Sequence, residues 1–195
     1  MKQLLASPAR LTAFGFLLLI IVGSVLLMMP FAGGASFLSA LFTATSAVSL
    51  TGLVVEDTAT FFHPAGQVII LVLIQLGGLG IMSLASLSGY LLTGRISFKA
   101  RKTGAYEGRP ITAGGIRRTL IFTFTFTAVA EATIAVAIGA RLMLGYGYSF
   151  PQAAWEGIFH AISAFNNAGF STHSDNLVSF SADAWILLPP VSYTH

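Results

Sequence analysis

The sequence has no cysteine, and so offers neither a disulfide framework nor a thiolate for metal binding or nucleophilic chemistry. Charge is nearly as scarce: Asp, Glu, Lys and Arg make up 9% of the 195 residues, against about 25% in soluble domains. No charged side chain occurs between Leu11 and Val55, and none between Thr58 and Gly94. So small a polar supply cannot cover the surface of a water-soluble globule. Hydrophobic residues make up 55% of the chain and mean hydropathy is +0.81. Disorder is excluded by the same figures, because disordered chains are poor in apolar residues and rich in charge. The composition is that of an integral membrane protein.

Catalytic signatures are also missing. No P-loop, dinucleotide-binding fingerprint or Ser/His/Asp set appears, so nucleotide binding would belong to a partner and no enzyme activity is expected. The formal charge of +3 would suggest nucleic acid only if the basic residues covered a solvated face. They cluster instead between apolar runs, which is a topology signal, and nucleic acid is not an expected partner.

Three runs are long enough for a bilayer core of about 30 Å, which needs roughly 20 apolar residues. They are Leu11–Pro30, Gly66–Thr93 and Thr119–Leu144. The uncharged stretch Leu11–Met29 exceeds the apolar core of a secretory signal, about 7–15 residues, and reads as a retained first span. Two further stretches, Ser36–Val48 and Gln152–Phe165, are too short to cross. Each runs into a glycine-containing polar segment, SLTGL at 49–53 and NNAGF at 166–170. A half-length helix followed by irregular backbone is the pattern of a re-entrant loop, which survives at membrane depth only inside protein or beside a wet cavity.

Between Arg95 and Arg118 lie seven basic residues against one acid, Glu107. Lys2 and Arg10 lie two spans away, so both basic segments share one side, which the positive-inside rule makes cytoplasmic. The N-terminus is therefore expected in the cytoplasm, with the short helices dipping in from outside. The linker would also touch anionic membrane lipid, each Lys or Arg contributing about 1 kcal/mol near the surface.

A shift of 117 residues brings Phe42, Ala44, Ser46, Ala47 and Gly52 onto Phe159, Ala161, Ser163, Ala164 and Gly169. The matches fall on the two short-helix units, as expected of a duplicated membrane–pore–membrane unit. The expected organisation is a first repeat over 1–93, a basic cytoplasmic linker over 94–118 and a second repeat over 119–195. Only Ala184–Val191 remains apolar at the end, too little to cross, so the second repeat reads as truncated.

The C-terminal end of such a half-helix carries partial negative charge. The backbone beyond it can offer carbonyl oxygens in place of a cation's water shell. Gly52 and Gly169 hold equivalent places in the repeat, so the same geometry is expected twice. Gly77, Gly78 and Gly80 read instead as small residues for close helix packing.

These residues carry a resemblance. SAVSLTGLVVEDT at 46–58, IQLGGLGIM at 74–82 and SAFNNAGFS at 163–171 resemble the Trk/Ktr/HKT superfamily of potassium transporters. The resemblance implies an all-α membrane protein built from four such units around one pore, each with one filter glycine. It places Leu50, Thr51 and Gly52, then Asn167, Ala168 and Gly169, on the selectivity filter, with K⁺ as the transported ion and no organic cofactor. It implies a plasma-membrane location, a cytosolic nucleotide-binding regulatory subunit and a homodimer of pore subunits. Serine at the first filter position goes with sodium preference in plant relatives, so Gly52 favours potassium. Sodium or non-selective cation transport and a non-transporting membrane scaffold are the alternatives. With two of four repeats, the chain alone is not expected to conduct with native selectivity.

Four acids are candidates for the ion path. Glu131 falls within the third span, where an ionisable group faces the bundle or a cavity, or else is a protonated carboxyl hydrogen-bonded to a nearby Ser or Thr. Glu56, Asp57 and Asp175 follow the loops and could concentrate cations at the entrance, or simply edge a solvated vestibule. His160 has no evident ligand partner in the sequence and reads as a packing or hydrogen-bonding residue, so no metal site besides K⁺ at the filter is expected.

Overall fold

The computed structural model describes residues 8–101 and 113–186, and every regular element within them is helical. The helices are α1 (Pro8–Leu27), α2 (Phe37–Ser49), α3 (Pro64–Arg101), α4 (Ala113–Tyr146) and α5 (Phe150–Phe165). Two short 3-10 turns lie at Pro30–Ala32 and Val178–Phe180. Each of the four prolines in these residues, Pro8, Pro30, Pro64 and Pro151, stands in the first turn of a helix. Proline is suited to that turn because its missing N–H would have had no partner there. Ser36 caps α2, its hydroxyl accepting from the Ser39 N–H at 3.2 Å.

Pro64–Met82 and Ile121–Tyr146 are long and apolar enough to cross a membrane, with mean hydropathy 2.0 and 1.8. The 13 residues of α2 and 16 of α5 are not long enough. The two long apolar stretches fall on the second and third expected spans, and both of their helices run past the expected ends; the apolar part of α1, Thr12–Leu27, is shorter than the first expected span. No proline follows Pro64 within α3, which continues beyond Thr93 to Arg101, while α4 begins at Ala113, so both ends of the 94–118 segment are helical. Residues 102–112 lie outside the described residues, as does the final apolar run beyond Ile186.

Helix α2 lies against α1 and α3, and α5 lies chiefly against α4 and also touches α3. Leu27, Ala44, Val48, Ile70 and Ile74 form the core of the first group. Ile134, Ile138, Leu142, Ala153 and Ala161 form that of the second. The two are stitched together by Phe159 and Phe170, which belong to the second group by sequence but pack in the first core. Large apolar side chains such as Phe14, Leu17, Phe122 and Val136 stand exposed on α1 and α4, as expected of surfaces that meet lipid or protein rather than water.

Candidate functional site: two glycine loops that meet

The site begins where the two short helices stop. Leu50 ends α2 in the left-handed conformation (φ 58°, ψ 37°), and Gly52 follows with φ 69°. In the second unit, Asn167 (φ 54°) and Gly169 (φ 73°) take the equivalent places, 117 residues on. The hydrogen bonds repeat as well. The N–H of Thr51 donates to the Ser46 carbonyl at 3.1 Å, and that of Ala168 donates to the Ser163 carbonyl at 2.7 Å. Both serines are buried. A non-glycine residue in the left-handed region costs about 1–2 kcal/mol, so the surrounding structure is holding Leu50 and Asn167 in a shape they would not choose.

The loops then meet, backbone against backbone. A Cβ on Gly52 would lie 2.8 Å from the Ala168 carbonyl oxygen and 3.1 Å from the Gly169 Cα. One on Gly169 would lie 3.0 Å from the Gly52 Cα. Both the positive φ and this approach exclude any side chain. Helix α3 backs both loops through two adjacent glycines: a Cβ on Gly77 would strike the Val48 backbone, and one on Gly78 the Asn166 side chain. Gly80 faces Phe16. These three are close-packing glycines, as the sequence suggested.

A buried polar node fixes the second loop from below. Gln75 Nε2 donates to Glu131 Oε2 at 3.0 Å. Asn166 Nδ2 lies 3.2 Å from Glu131 Oε1, 3.3 Å from Gln75 Oε1 and 2.9 Å from the Ile162 carbonyl. Glu131 is only 8% exposed, and its carboxyl accepts from α3 and from the residue that ends α5. Its position in the middle of α4 was legible; its partners, 35 and 56 residues away, were not.

On the other side of the loops a cavity of about 230 Å³ is lined by Glu56, Asp57, Gly169, Ser171, His173 and Ser174, among others. A hydrogen bond from Ser174 in the second unit, with help from the backbone at Ala59, holds the Asp57 carboxyl below the usual carboxylate range. Asp175 stands outside the lining, exposed and accepting from Ser179, which lowers it in the same way. Of the four acids, then, Glu56 and Asp57 reach the cavity and Glu131 sits beneath a loop.

His160 is not alone. Glu156, one turn earlier on α5, and His173, beyond the second loop, converge on it. Glu156 Oε2 lies 3.4 Å from His160 Nδ1 and 3.3 Å from His173 Nε2, and the two imidazoles stack at 5.3 Å. This corrects the expectation that His160 has no partner of ligating type. The i, i+4 spacing of Glu156 and His160 was a usable signal; His173 is brought in by the chain reversal at Gly169.

Residues 15–193 match the TrkH family, described as a cation transport protein. Over 193 residues the chain is 41% identical to a Ktr system potassium uptake protein B of Bacillus subtilis. It is 37% identical over 196 residues to the protein of the same name from Vibrio alginolyticus. To a potassium/sodium uptake protein of Enterococcus hirae it is 36% identical over 186 residues. These alignments cover 93–95% of this chain but 40–41% of each relative, so the chain spans about two fifths of the length of the curated relatives it matches. A match over nearly the whole chain, joined to two equivalent glycine loops at the ends of half-length helices, makes it a member of the TrkH family of membrane cation transport proteins.

Proposed function

We propose that the chain forms two of the membrane–pore–membrane units of a potassium uptake protein, with α2 and α5 re-entrant and their loops forming part of a carbonyl-lined filter. The units correspond to 1–93 and 119–195, joined by the basic segment 94–118 on the cytoplasmic side with the N-terminus. Leu50, Thr51 and Gly52 and then Asn167, Ala168 and Gly169 supply the ion-facing backbone. The observation that carries this reading is the paired torsions at 50/52 and 167/169, with the glycines in van der Waals contact. Two strands of backbone so arranged can surround an ion with carbonyls as neither could alone.

Glu56 and Asp57 supply negative potential at the mouth, which raises the local cation concentration. Glu131 acts from beneath, as the acceptor that holds Asn166 and therefore the start of the second loop. Transport is passive passage of dehydrated K⁺ in the plasma membrane. A homodimer of full-length subunits, gated by a cytosolic nucleotide-binding subunit docked on the basic segment, completes the reading. The names of the relatives, two potassium uptake proteins and one potassium/sodium uptake protein, support potassium as the principal ion.

The test is Gly52→Ser and Gly169→Ser in the full-length protein, read as the K⁺/Na⁺ permeability ratio in a potassium-uptake-deficient host. Each is expected to lower the ratio about tenfold, corresponding to about 1.4 kcal/mol of lost discrimination. An unchanged ratio would remove the loops from the filter.

A further inference from the structure

We propose that Glu156, His160 and His173 form a binding site for a divalent transition-metal cation of the zinc class, which clamps the segment after the second loop onto α5. The three side chains offer two imidazole nitrogens and one carboxylate oxygen, all within 4.8 Å of one another. That donor set suits Zn²⁺ and Cu²⁺, and is poorly matched to Mg²⁺ or Ca²⁺, which take oxygen ligands.

Two features of the geometry point to a cation rather than to a plain hydrogen-bonded pair. The first is spacing. Zinc holds nitrogen and carboxylate oxygen at about 2.0–2.2 Å, so neighbouring ligand atoms of a tetrahedral site lie about 3.3–3.5 Å apart. Glu156 Oε2 lies 3.4 Å and 3.3 Å from the two imidazole nitrogens, longer than the 2.7–2.9 Å of a charge-assisted hydrogen bond but right for two edges of that tetrahedron.

The second is hydrogen-bond accounting at Ser171. Its hydroxyl donates to the Asn176 carbonyl at 3.4 Å and accepts from the His173 N–H at 3.0 Å. His160 Nε2 faces the same hydroxyl at 3.0 Å, so that with a cation on Nδ1 the Nε2–H would have an acceptor already in place. Nδ1 lies 2.9 Å from the Glu156 carbonyl oxygen and 3.4 Å from its carboxylate, whose Oε2 also accepts from Thr172 Oγ1. Two imidazoles and a carboxylate thus converge about a residue only 4% exposed, where a bound cation would be paired with a negative charge. The contact from Nε2–H to Ser171 is also the outer hydrogen bond that orients a metal-ligating histidine. His173 and Ser171 both line the cavity, which gives an ion from that side a way in, and a fourth position remains for water.

Among the described residues the first unit has no such site. At the places equivalent to Glu156, His160 and His173 it carries Ser39, Thr43 and Glu56. Ser39 simply donates to Glu56 at 3.1 Å.

The experiment uses the tag-free protein in detergent, with Co²⁺ as spectroscopic probe and Zn²⁺ as ligand, so that its outcome does not depend on ion transport. Stoichiometric Co²⁺ is expected to give the visible absorption of a tetrahedral site, displaced by Zn²⁺ and untouched by excess Mg²⁺. Zn²⁺ is expected to raise the unfolding temperature reversibly on chelation. Glu156→Gln and His173→Gln should abolish both signals, and His63→Gln should leave both intact. Ser171→Ala, which keeps all three ligands, should weaken Zn²⁺ about 10–100-fold. Absence of the cobalt band in the unmutated protein, or equal responses in His173→Gln and the parent, would overturn the proposal. If the ligand variants do not fold, the Co²⁺ titration of the parent and of Ser171→Ala decides it.

Discussion

The two units share a backbone plan and differ in how that plan is secured. Both end a short helix with a left-handed residue, tie the next N–H to a buried serine carbonyl, and place glycine two residues after the turn. The second loop, however, is held from below by Asn166, Glu131 and Gln75, and from above by Glu156, His160 and His173. Among the described residues the first loop has no counterpart to either set; Thr51 Oγ1 donating to Ser46, the Ser39–Glu56 hydrogen bond and the tie from Ser174 to Asp57 stand in for them. The acid has changed sides: helix serine with loop glutamate in the first unit, helix glutamate with loop histidine in the second. A duplicated unit can therefore conserve the path of the backbone while placing its side-chain anchors independently.

The sharpest way to break the comparison is at Phe42 and Phe159, equivalent in sequence but 38% and 0% exposed. Phe159→Ala empties a filled site in the first core and is expected to cost about 3–5 kcal/mol. Phe42→Ala should stay within about 0.5 kcal/mol, as for surface changes. Equilibrium unfolding of the two variants in detergent checks the difference. Next in size is Glu131→Gln, which replaces one acceptor oxygen by an amide donor facing Gln75 or Asn166. Leaving such a buried group unpaired costs about 1–3 kcal/mol. Hydrogen exchange should show the second loop opening more readily while the first keeps its protection. If both loops loosen equally, the node serves α3 rather than one unit.

The smallest effect concerns Asp57, whose carboxyl is lowered chiefly by Ser174 across the two units. A lowered folded value means that the tie contributes stability above the unfolded carboxylate value of about 3.9 and loses it as pH falls through the folded value. Asp57→Asn should lower stability slightly at neutral pH, where the tie contributes in full, and flatten the acid limb, so that variant and parent converge as pH falls through the folded value. A loss that persists undiminished into acid would mean that the contact works through shape instead of charge.

Much of this was legible in the sequence, because hydropathy and spacing are local. The three long helices, the two half-length helices and the repeat that equates Gly52 with Gly169 follow from runs and shifts of residues. So does the reading of Gly77 and Gly78 as contact glycines, although not that they press on the ends of the two loops. Other features depend on how helices cross. Nothing in the spacing relates Gln75 to Glu131 and Asn166, or Trp155 to Gln67, which its indole N–H reaches at 3.3 Å. Ser46 and Ser163 matched in the repeat, yet their part in the turns became visible only from the hydrogen bonds. The apolar run marks the expected span up to Thr93 but not the end of the helix: α3 continues into the basic segment because arginine and lysine are good helix formers.

That continuation has a mechanical consequence. Helix α3 is one uninterrupted element of 38 residues, bearing on both loops at Gly77 and Gly78 and reaching on to Arg101. At about 1.5 Å per residue the arm from Gly78 to Arg101 is about 35 Å. A tilt of about 5° around the glycine fulcrum would sweep its far end through about 3 Å, with the rise of the helix setting the leverage. A force applied at the basic end thus reaches the ends of the two loops as a torque about Gly77 and Gly78.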